Sequence, residues 1–228
     1  DRGLEGVDTL LHTAAIFSLS PLDAKSMISI NPSSTKTLLS SAMKHGLKQT
    51  VYVSTMGVFA PITGGDIDEN TETSTGLGPY TKSKIESEKI AREFQQNGVP
   101  VNIVYPGGIF GPKDPNPNLS DSMGMLTEIL KRNLGLTASS AKLAMVDVRD
   151  VANVCVGALE VESKNARYHA WGELVTMDQV IDLVKKITDR NIRFYSTPLF
   201  LLDAMGTFGE VFTLATRIRL PFAKESMK

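Results

Sequence analysis

The stretch TVYVST, residues Thr50 to Thr55, is a short apolar run closed by two hydroxyl side chains, and the reading of the fold works outward from it. Its apolar residues are consecutive rather than alternating, which suits a strand buried on both faces, as strands of parallel sheets are. Upstream, VDTLLH (Val7 to His12) has the same character and ends at the small residues Thr13, Ala14 and Ala15. Between the two lies a helical pattern with Leu38, Leu39, Ala42 and Met43 on one side, stopping at Gly46, a residue suited to the left-handed position after a helix. Downstream, a second helical stretch from about Tyr80 to Asn97 is closed by Gly98, and a third strand, Val101 to Tyr105, ends at Pro106. Strands joined by crossovers of this size run parallel, with right-handed connections. The expected fold class is therefore α/β, a doubly wound parallel sheet.

Pro32 lies inside the first helical stretch. It removes a backbone donor and disfavours the α region at Asn31, so a kink or restart is expected there, with Ser33 or Ser34 as the new cap. Past Gly111 the pattern changes: GPKDPNPNLSD (Gly111 to Asp121) reads as loop, and Val151 to Val161 and Met177 to Asp189 read as helices separated by turns. Residues 1–112 are thus expected to form most of the sheet region. Residues 113–228 are a mixed region that completes the sheet and forms a smaller part packed at its end.

Composition narrows the function. The 228 residues carry 24 Lys+Arg against 25 Asp+Glu, a net charge of −1, which fits neither a basic nucleic-acid footprint nor an acidic tail. Cys155 has no second cysteine to pair with, and His12, His45 and His169 show no metal-ligand spacing, so neither a disulfide framework nor a metal site is expected. No run approaches the roughly 18 apolar residues of a membrane span, and the first thirty residues lack a signal peptide's basic-then-apolar order. The remaining expectation is a soluble, cytoplasmic enzyme or ligand binder, a possible homodimer, whose partner is a small molecule rather than nucleic acid or membrane.

In open parallel sheets ligands bind beyond the carboxyl ends of the strands. That rule selects Thr13 to Ala15, Ser54 to Met56 and Pro106 to Gly108. After the second strand comes YTKSK, where Tyr80 and Lys84 are four residues apart and share a helix face. An ammonium near a phenol favours the phenolate and makes tyrosine a usable acid/base near neutral pH. A hydroxyl from Thr55 or Ser54 could hold a substrate oxygen, and Lys84 could also grip a nucleotide ribose. Alone, Tyr-x-x-x-Lys is a weak signal; the Ser-Thr pair at a strand end, Gly76-Leu77-Gly78-Pro79 before the helix and the Pro-Gly-Gly turn strengthen it.

Taken in order, HTAA (His12 to Ala15), VYVSTMGVF (Val51 to Phe59), GPYTKSKIESE (Gly78 to Glu88), PGGIFGP (Pro106 to Pro112) and MVDVRDVA (Met145 to Ala152) resemble the extended short-chain dehydrogenase/reductase superfamily. The nearest group is the NAD-dependent epimerase/dehydratase family, with a lean toward dihydroflavonol-reductase-like members, and the resemblance spans Gly6 to about Pro198. It implies a Rossmann-like sheet, NAD or NADP as cofactor, and a dinucleotide-binding part (1–112) followed by a substrate-binding part (113–228). By the resemblance Tyr80, Lys84 and Thr55 are catalytic, and Asn31 is the helix asparagine placed behind the site. Ala14 and Ala15 would line the adenosine side of the cofactor, Ser54, Tyr80 and Lys84 would contact it, and Pro106, Gly107 and Ile109 would lie near the nicotinamide.

Two departures matter. Tyr105 stands before Pro106 where relatives usually carry Arg, so a local charge contact is expected to be absent. The Gly-rich dinucleotide fingerprint is missing, and the Gly-x-Gly at Gly76 follows no strand. Relatives carry that fingerprint on an earlier strand, so the chain, which begins at Asp1, is expected to be a piece lacking roughly 60 residues, two βα units. The Val7 to His12 strand would then be a sheet edge, and the residue that separates NAD from NADP would be gone.

Plainer readings stand beside these. Thr55 could cap a turn, His12 could be a packed strand-end histidine, Asn31 could merely precede a proline, and Gly107 and Gly108 could serve the turn. Asp150 is expected to cap the helix near Val151 rather than bind metal. Met56, Phe59, Phe110, Met123, Met125 and Met145 could form an apolar pocket or simply core. Pro198 to Phe222 could be a membrane-surface helix or one packed on the substrate region or a second subunit, with Gly206 and Gly209 weakening a single continuous helix. The functional expectation is an NAD(P)-dependent oxidoreductase or epimerase/dehydratase acting at a hydroxyl- or carbonyl-bearing carbon. The rivals are a non-catalytic dinucleotide-binding regulator and an inactive fragment.

Overall fold

The structure is a computed structural model that describes residues 2–60, 66–114, 121–137, 142–161 and 165–218. In chain order the main elements are β1 (Thr9–His12), α1 (Ala24–Lys44), β2 (Gln49–Val53), α2 (Pro79–Gln96), β3 (Val101–Pro106) and β4 (Gly108–Phe110). They continue with α3 (Asp121–Arg132), β5 (Leu134–Thr137), β6 (Lys142–Asp147), α4 (Val148–Glu160), β7 (Arg167–Ala170), β8 (Leu174–Thr176), α5 (Met177–Thr188), β9 (Arg193–Ser196) and α6 (Leu199–Thr216).

The central sheet has the order β1-β2-β3-β7 and every pairing in it is parallel. Side chains alternate across it. Tyr52, Val101, Ile103 and Tyr105 pack with Leu39 of α1 and Ile85 and Ala91 of α2, while Val51, Val104 and Ala170 pack with Val151, Cys155 and Ala158 of α4. Helices therefore cover both faces of β2 and β3, which is why these read as apolar runs, whereas β1, expected to be buried on both faces, leaves Leu11 41% exposed. The expected α/β doubly wound architecture is the observed one, and β1 is an edge strand of the sheet. Two smaller sheets follow: β4 pairs parallel with β6, which pairs antiparallel with β8, and β5 pairs parallel with β9.

The two crossover helices end alike. Gly46 and Gly98 both have positive φ (62° and 81°). Leu47 N–H then reaches Ala42 O and Val99 N–H reaches Phe94 O, the hydrogen bonds that close a helix on a left-handed glycine.

Three expectations are corrected, and one pair of alternatives, pocket or core for Phe59 and Met125, is decided for the core. α1 neither stops nor restarts at Pro32: it runs unbroken from Ala24 to Lys44, and Ser34 Oγ donates back to Asn31 O at 2.9 Å instead of capping a new helix. The carbonyl deprived of its partner is that of Ile28, whose residue is 49% exposed and open to water, while Met27, Asn31, Thr35 and Leu39 hold the helix on its buried face. The cap of α4 is Asp147, which accepts from Arg149 N at 2.8 Å, and Asp150 lies inside the first turn. Phe59 belongs to the core beneath the sheet and Met125 packs beside Ile129, Met177 and Ile181, so these two do not join a common apolar pocket. Finally, α6 is one continuous helix from Leu199 to Thr216. Gly206 and Gly209 stand with Leu202 and Thr213 on its buried stripe, and the helix packs against the Pro21–Asp23 turn. Its opposite face exposes Phe200, Phe208 and Val211, and the remainder of the Pro198 to Phe222 stretch, from residue 219, lies outside the described residues, as do positions 115–120 of the loop after Gly111.

Candidate active site

Parallel strands put all their carboxyl ends on one edge of the sheet. β1 runs out into Thr13, Ala14 and Ala15, which are exposed; β2 into Ser54 and Thr55; β3 into Gly107. The candidate site lies along this edge, beside the start of α2.

Helix α2 begins at Pro79 behind Gly78, and its buried stripe contains Thr81, Lys84, Ile85, Glu88 and Ala91. Tyr80, half-buried, is met edge-on by Phe17 from the loop after β1, with centroids 4.8 Å apart and an 86° angle. Lys84 is 3% exposed and turns to the end of β2, where Nζ donates to Val53 O at 2.7 Å and lies 4.6 Å from the centre of the Tyr52 ring. Burial pulls the Lys84 ammonium down from 10.5 to about 8, with the Glu88 carboxylate acting in the opposite direction. His12 is also buried, with Nε2 3.1 Å from Thr35 Oγ1; burial and then the Lys84 charge push it down to about 4, so it is neutral at pH 7. A neutral, packed histidine agrees with the plainer of its two sequence readings.

Thr55 is extended (φ −159°, ψ 148°) and caps the Met56–Phe59 turn, its oxygen accepting from Gly57 N at 3.2 Å. That use occupies an acceptor lone pair and leaves the O–H available as a donor. A Cβ on Gly57 would lie 3.5 Å from Thr55 Oγ1 and 3.9 Å from Thr81 Oγ1, which places the Thr55 turn against the first turn of α2. Ser54, expected on the cofactor side, is 5% exposed, and its hydroxyl donates to Glu88 Oε2 at 3.0 Å.

Asn31 is 2% exposed on α1 and joins three elements. Its Oδ1 accepts from Ile16 N (2.7 Å), and Nδ2 donates to Ile16 O and Ser83 Oγ (2.9 Å each). Ser83 in turn donates to Tyr80 O at 2.7 Å. Asn31 therefore ties the loop that carries Ala14, Ala15 and Phe17 to the helix turn that carries Tyr80. Pro106, Gly107 and Ile109 stand one strand further along the edge: Pro106 is buried, Gly107 N donates to Ala170 O at 3.2 Å, and Ile109 is exposed. A Cβ on Gly107 would sit 2.4 Å from Ala144 O, so only glycine lets β3 turn this close to β6.

The structure thus draws Asn31, Ser54, Thr55, Tyr80 and Lys84 around the end of β2 and the start of α2, with Ala14 and Ala15 on one flank and Pro106 to Ile109 on the other. Sequence reasoning missed Phe17, Ser83 and Glu88. Glu88 could have been found, because it repeats the four-residue spacing of Tyr80 and Lys84 on the same helix. The expected gap before Pro106 is filled differently: Tyr105 is fully buried, its hydroxyl donates to Glu88 Oε1 at 2.9 Å, and Arg92 supplies the cation to that carboxylate at 2.7 Å.

The model of the NAD dependent epimerase/dehydratase family matches residues 3–171. The chain is 28% identical over 188 residues to sterol demethylase protein B of Methylococcus capsulatus, covering 81% of this chain and 56% of that one. It is 30% identical over 152 residues to a putative dihydroflavonol 4-reductase of Synechocystis, covering 65% and 43% respectively. It spans about half the length of these curated relatives. Among solved structures, a double mutant of the dTDP-glucose 4,6-dehydratase DesIV from Streptomyces venezuelae, with NAD bound, superposes with a TM-score of 0.74 at 24% identity, over 86% of this chain and 63% of that one. The shared parallel sheet is the Rossmann-like arrangement, and a family match over residues 3–171 shows that the chain belongs to the NAD dependent epimerase/dehydratase family.

Proposed function

We propose that this protein is an NAD(P)-dependent oxidoreductase or epimerase/dehydratase acting at a hydroxyl- or carbonyl-bearing carbon of a small organic substrate. The observation that carries the reading is the junction of α2 with β2: Tyr80 and Lys84 are one turn apart, and the Lys84 ammonium is fixed 2.7 Å from Val53 O, two residues before Thr55. Residues 1–112 would serve the dinucleotide and 113–228 the substrate. NAD is favoured because the dehydratase from Streptomyces venezuelae was solved with it. One buried thiol, Cys155, suits the reducing cytoplasm.

The edge suits such a cofactor. The exposed Thr13-Ala14-Ala15 segment has no bulky side chain to hold a flat ligand away, and Lys84 brings a charge to the end of β2. Ala14 and Ala15 would line the adenosine side, Lys84 the ribose, and Pro106, Gly107 and Ile109 the nicotinamide. The bound nicotinamide would supply hydride transfer. Tyr80 is the general acid/base that exchanges a proton with the substrate oxygen. Lys84, held charged, favours the phenolate electrostatically, and Thr55 donates its free O–H to the same oxygen. Asn31 orients Tyr80 through Ser83, and Phe17 packs the phenol edge.

The test is Tyr80→Phe. Turnover should fall on the order of 10²–10⁴-fold, while cofactor affinity, read by nicotinamide fluorescence, stays within a few-fold of wild type. Wild-type turnover in this variant overturns the assignment.

A further inference from the structure

Glu88 is a carboxylate with 0% exposure, one helical turn beyond Lys84 on the same buried stripe. A buried carboxylate is costly unless paired and hydrogen-bonded. Here it gathers groups from three elements: Ser54 Oγ at the end of β2 (3.0 Å), Tyr105 OH on β3 (2.9 Å), and Arg92 on its own helix through Nε (3.0 Å) and a terminal guanidinium nitrogen (2.7 Å). Arg92 is shared with Glu72 at 3.2 Å, and Arg167 of β7 donates to the Tyr105 hydroxyl at 3.1 Å from behind.

We propose that Glu88 is a positioning residue of this site, which pins the Ser54–Thr55 strand end to α2 and supplies the counter-charge that keeps the buried Lys84 ammonium protonated. The inference rests on the function proposed above and adds to it a second carboxylate-controlled layer.

The pinning is direct. Ser54 N donates to Val104 O at 2.8 Å and its hydroxyl to Glu88, so both ends of Ser54 are held and Thr55, the next residue, starts from a fixed backbone. The electrostatic part is a balance of signs. Burial disfavours charge on Lys84 and Glu88 favours it. The charged and titratable groups around the pair are Tyr80 and Arg92 on α2, Tyr52 beneath Lys84, His12 on β1, Tyr105 on β3, Arg167 on β7, and Glu72 beyond Arg92. Removing the Glu88 charge leaves Lys84 facing an under-compensated Arg92, so Lys84 loses its proton at lower pH. Removing the Arg92 charge leaves Glu88 under-compensated, so Lys84 keeps its proton to higher pH. A residue that only supports packing produces no such opposition.

The experiment follows Lys84 Nζ by ¹⁵N NMR through a pH titration of the full chain as wild type, Glu88→Gln and Arg92→Gln, with kcat and KM recorded across the same range. The Lys84 midpoint should fall by about one pH unit in E88Q and rise in R92Q. The alkaline limb of kcat should move with it while KM changes little, and Glu88→Asp should restore part of the shift. An unmoved midpoint in E88Q, or shifts of the same sign in both variants, overturns the proposal. If E88Q does not fold, R92Q decides: a midpoint that does not rise overturns it. The NMR midpoint needs no turnover, so the coupling is tested even if Tyr80→Phe retains activity and the proposed function falls.

Discussion

Asn31 holds Ile16 by both backbone groups at once, accepting from its N–H at 2.7 Å and donating to its carbonyl at 2.9 Å, as a paired strand would. One amide side chain thereby substitutes for a missing strand partner at the point where the chain leaves β1, and the same nitrogen reaches Ser83 on α2.

Asn31→Ala should therefore destabilise the protein by about 1–3 kcal/mol, the cost of leaving partly buried backbone groups without partners. Denaturant unfolding reads the loss, and limited proteolysis should cut the 13–20 loop faster. Asn31→Asp keeps the acceptor but loses both donors and sets a buried carboxylate oxygen against Ile16 O, so it should be at least as destabilised as alanine at neutral pH.

His12 makes stability depend on pH in the mildly acidic range. Its folded value of about 4 lies below the ordinary 6.5, so between these values the unfolded chain binds the proton more readily. Stability then rises with pH, and it is lost as the pH falls from about 6.5 toward 4. From pH 7 to 5 the His12 contribution should be on the order of 2 kcal/mol. Urea denaturation of wild type and His12→Gln at both pH values measures it. An equal pH dependence in the two proteins would refute the burial account.

Gly107→Ala places a methyl group 2.4 Å from Ala144 O and 3.2 Å from Trp171 Cβ. The first clash is with backbone, which cannot swing aside, so β3 and β6 must separate. A loss of about 2–3 kcal/mol is expected. Chemical denaturation gives the number, and a change below about 0.5 kcal/mol would show that the strands yield more easily than packed backbone should.

Short-range pattern carried a large share of the architecture. Short apolar runs at Val7 to His12, Thr50 to Val53 and Val101 to Tyr105, the first two each followed by a helical period and a glycine stop, suffice to specify parallel strands with helices between them. The shared helix face of Tyr80 and Lys84 and the Ser-Thr end of the strand follow from the same arithmetic, because both are local properties of spacing; that the two meet, with Lys84 Nζ on Val53 O 31 residues away, is tertiary. Tertiary structure decided what depends on partners distant in sequence. Asn31 and Ser83 are 52 residues apart, and Arg167 and Tyr105 are 62. Pro32 stays inside a helix because its neighbours are held from the far side, and Asp147 rather than Asp150 caps α4 because β6 ends just there. The spacing of Glu88 puts it on the helix face of Tyr80 and Lys84, but only the folding of three elements around it makes it a buried charge, because desolvation is a property of surroundings and not of the residue.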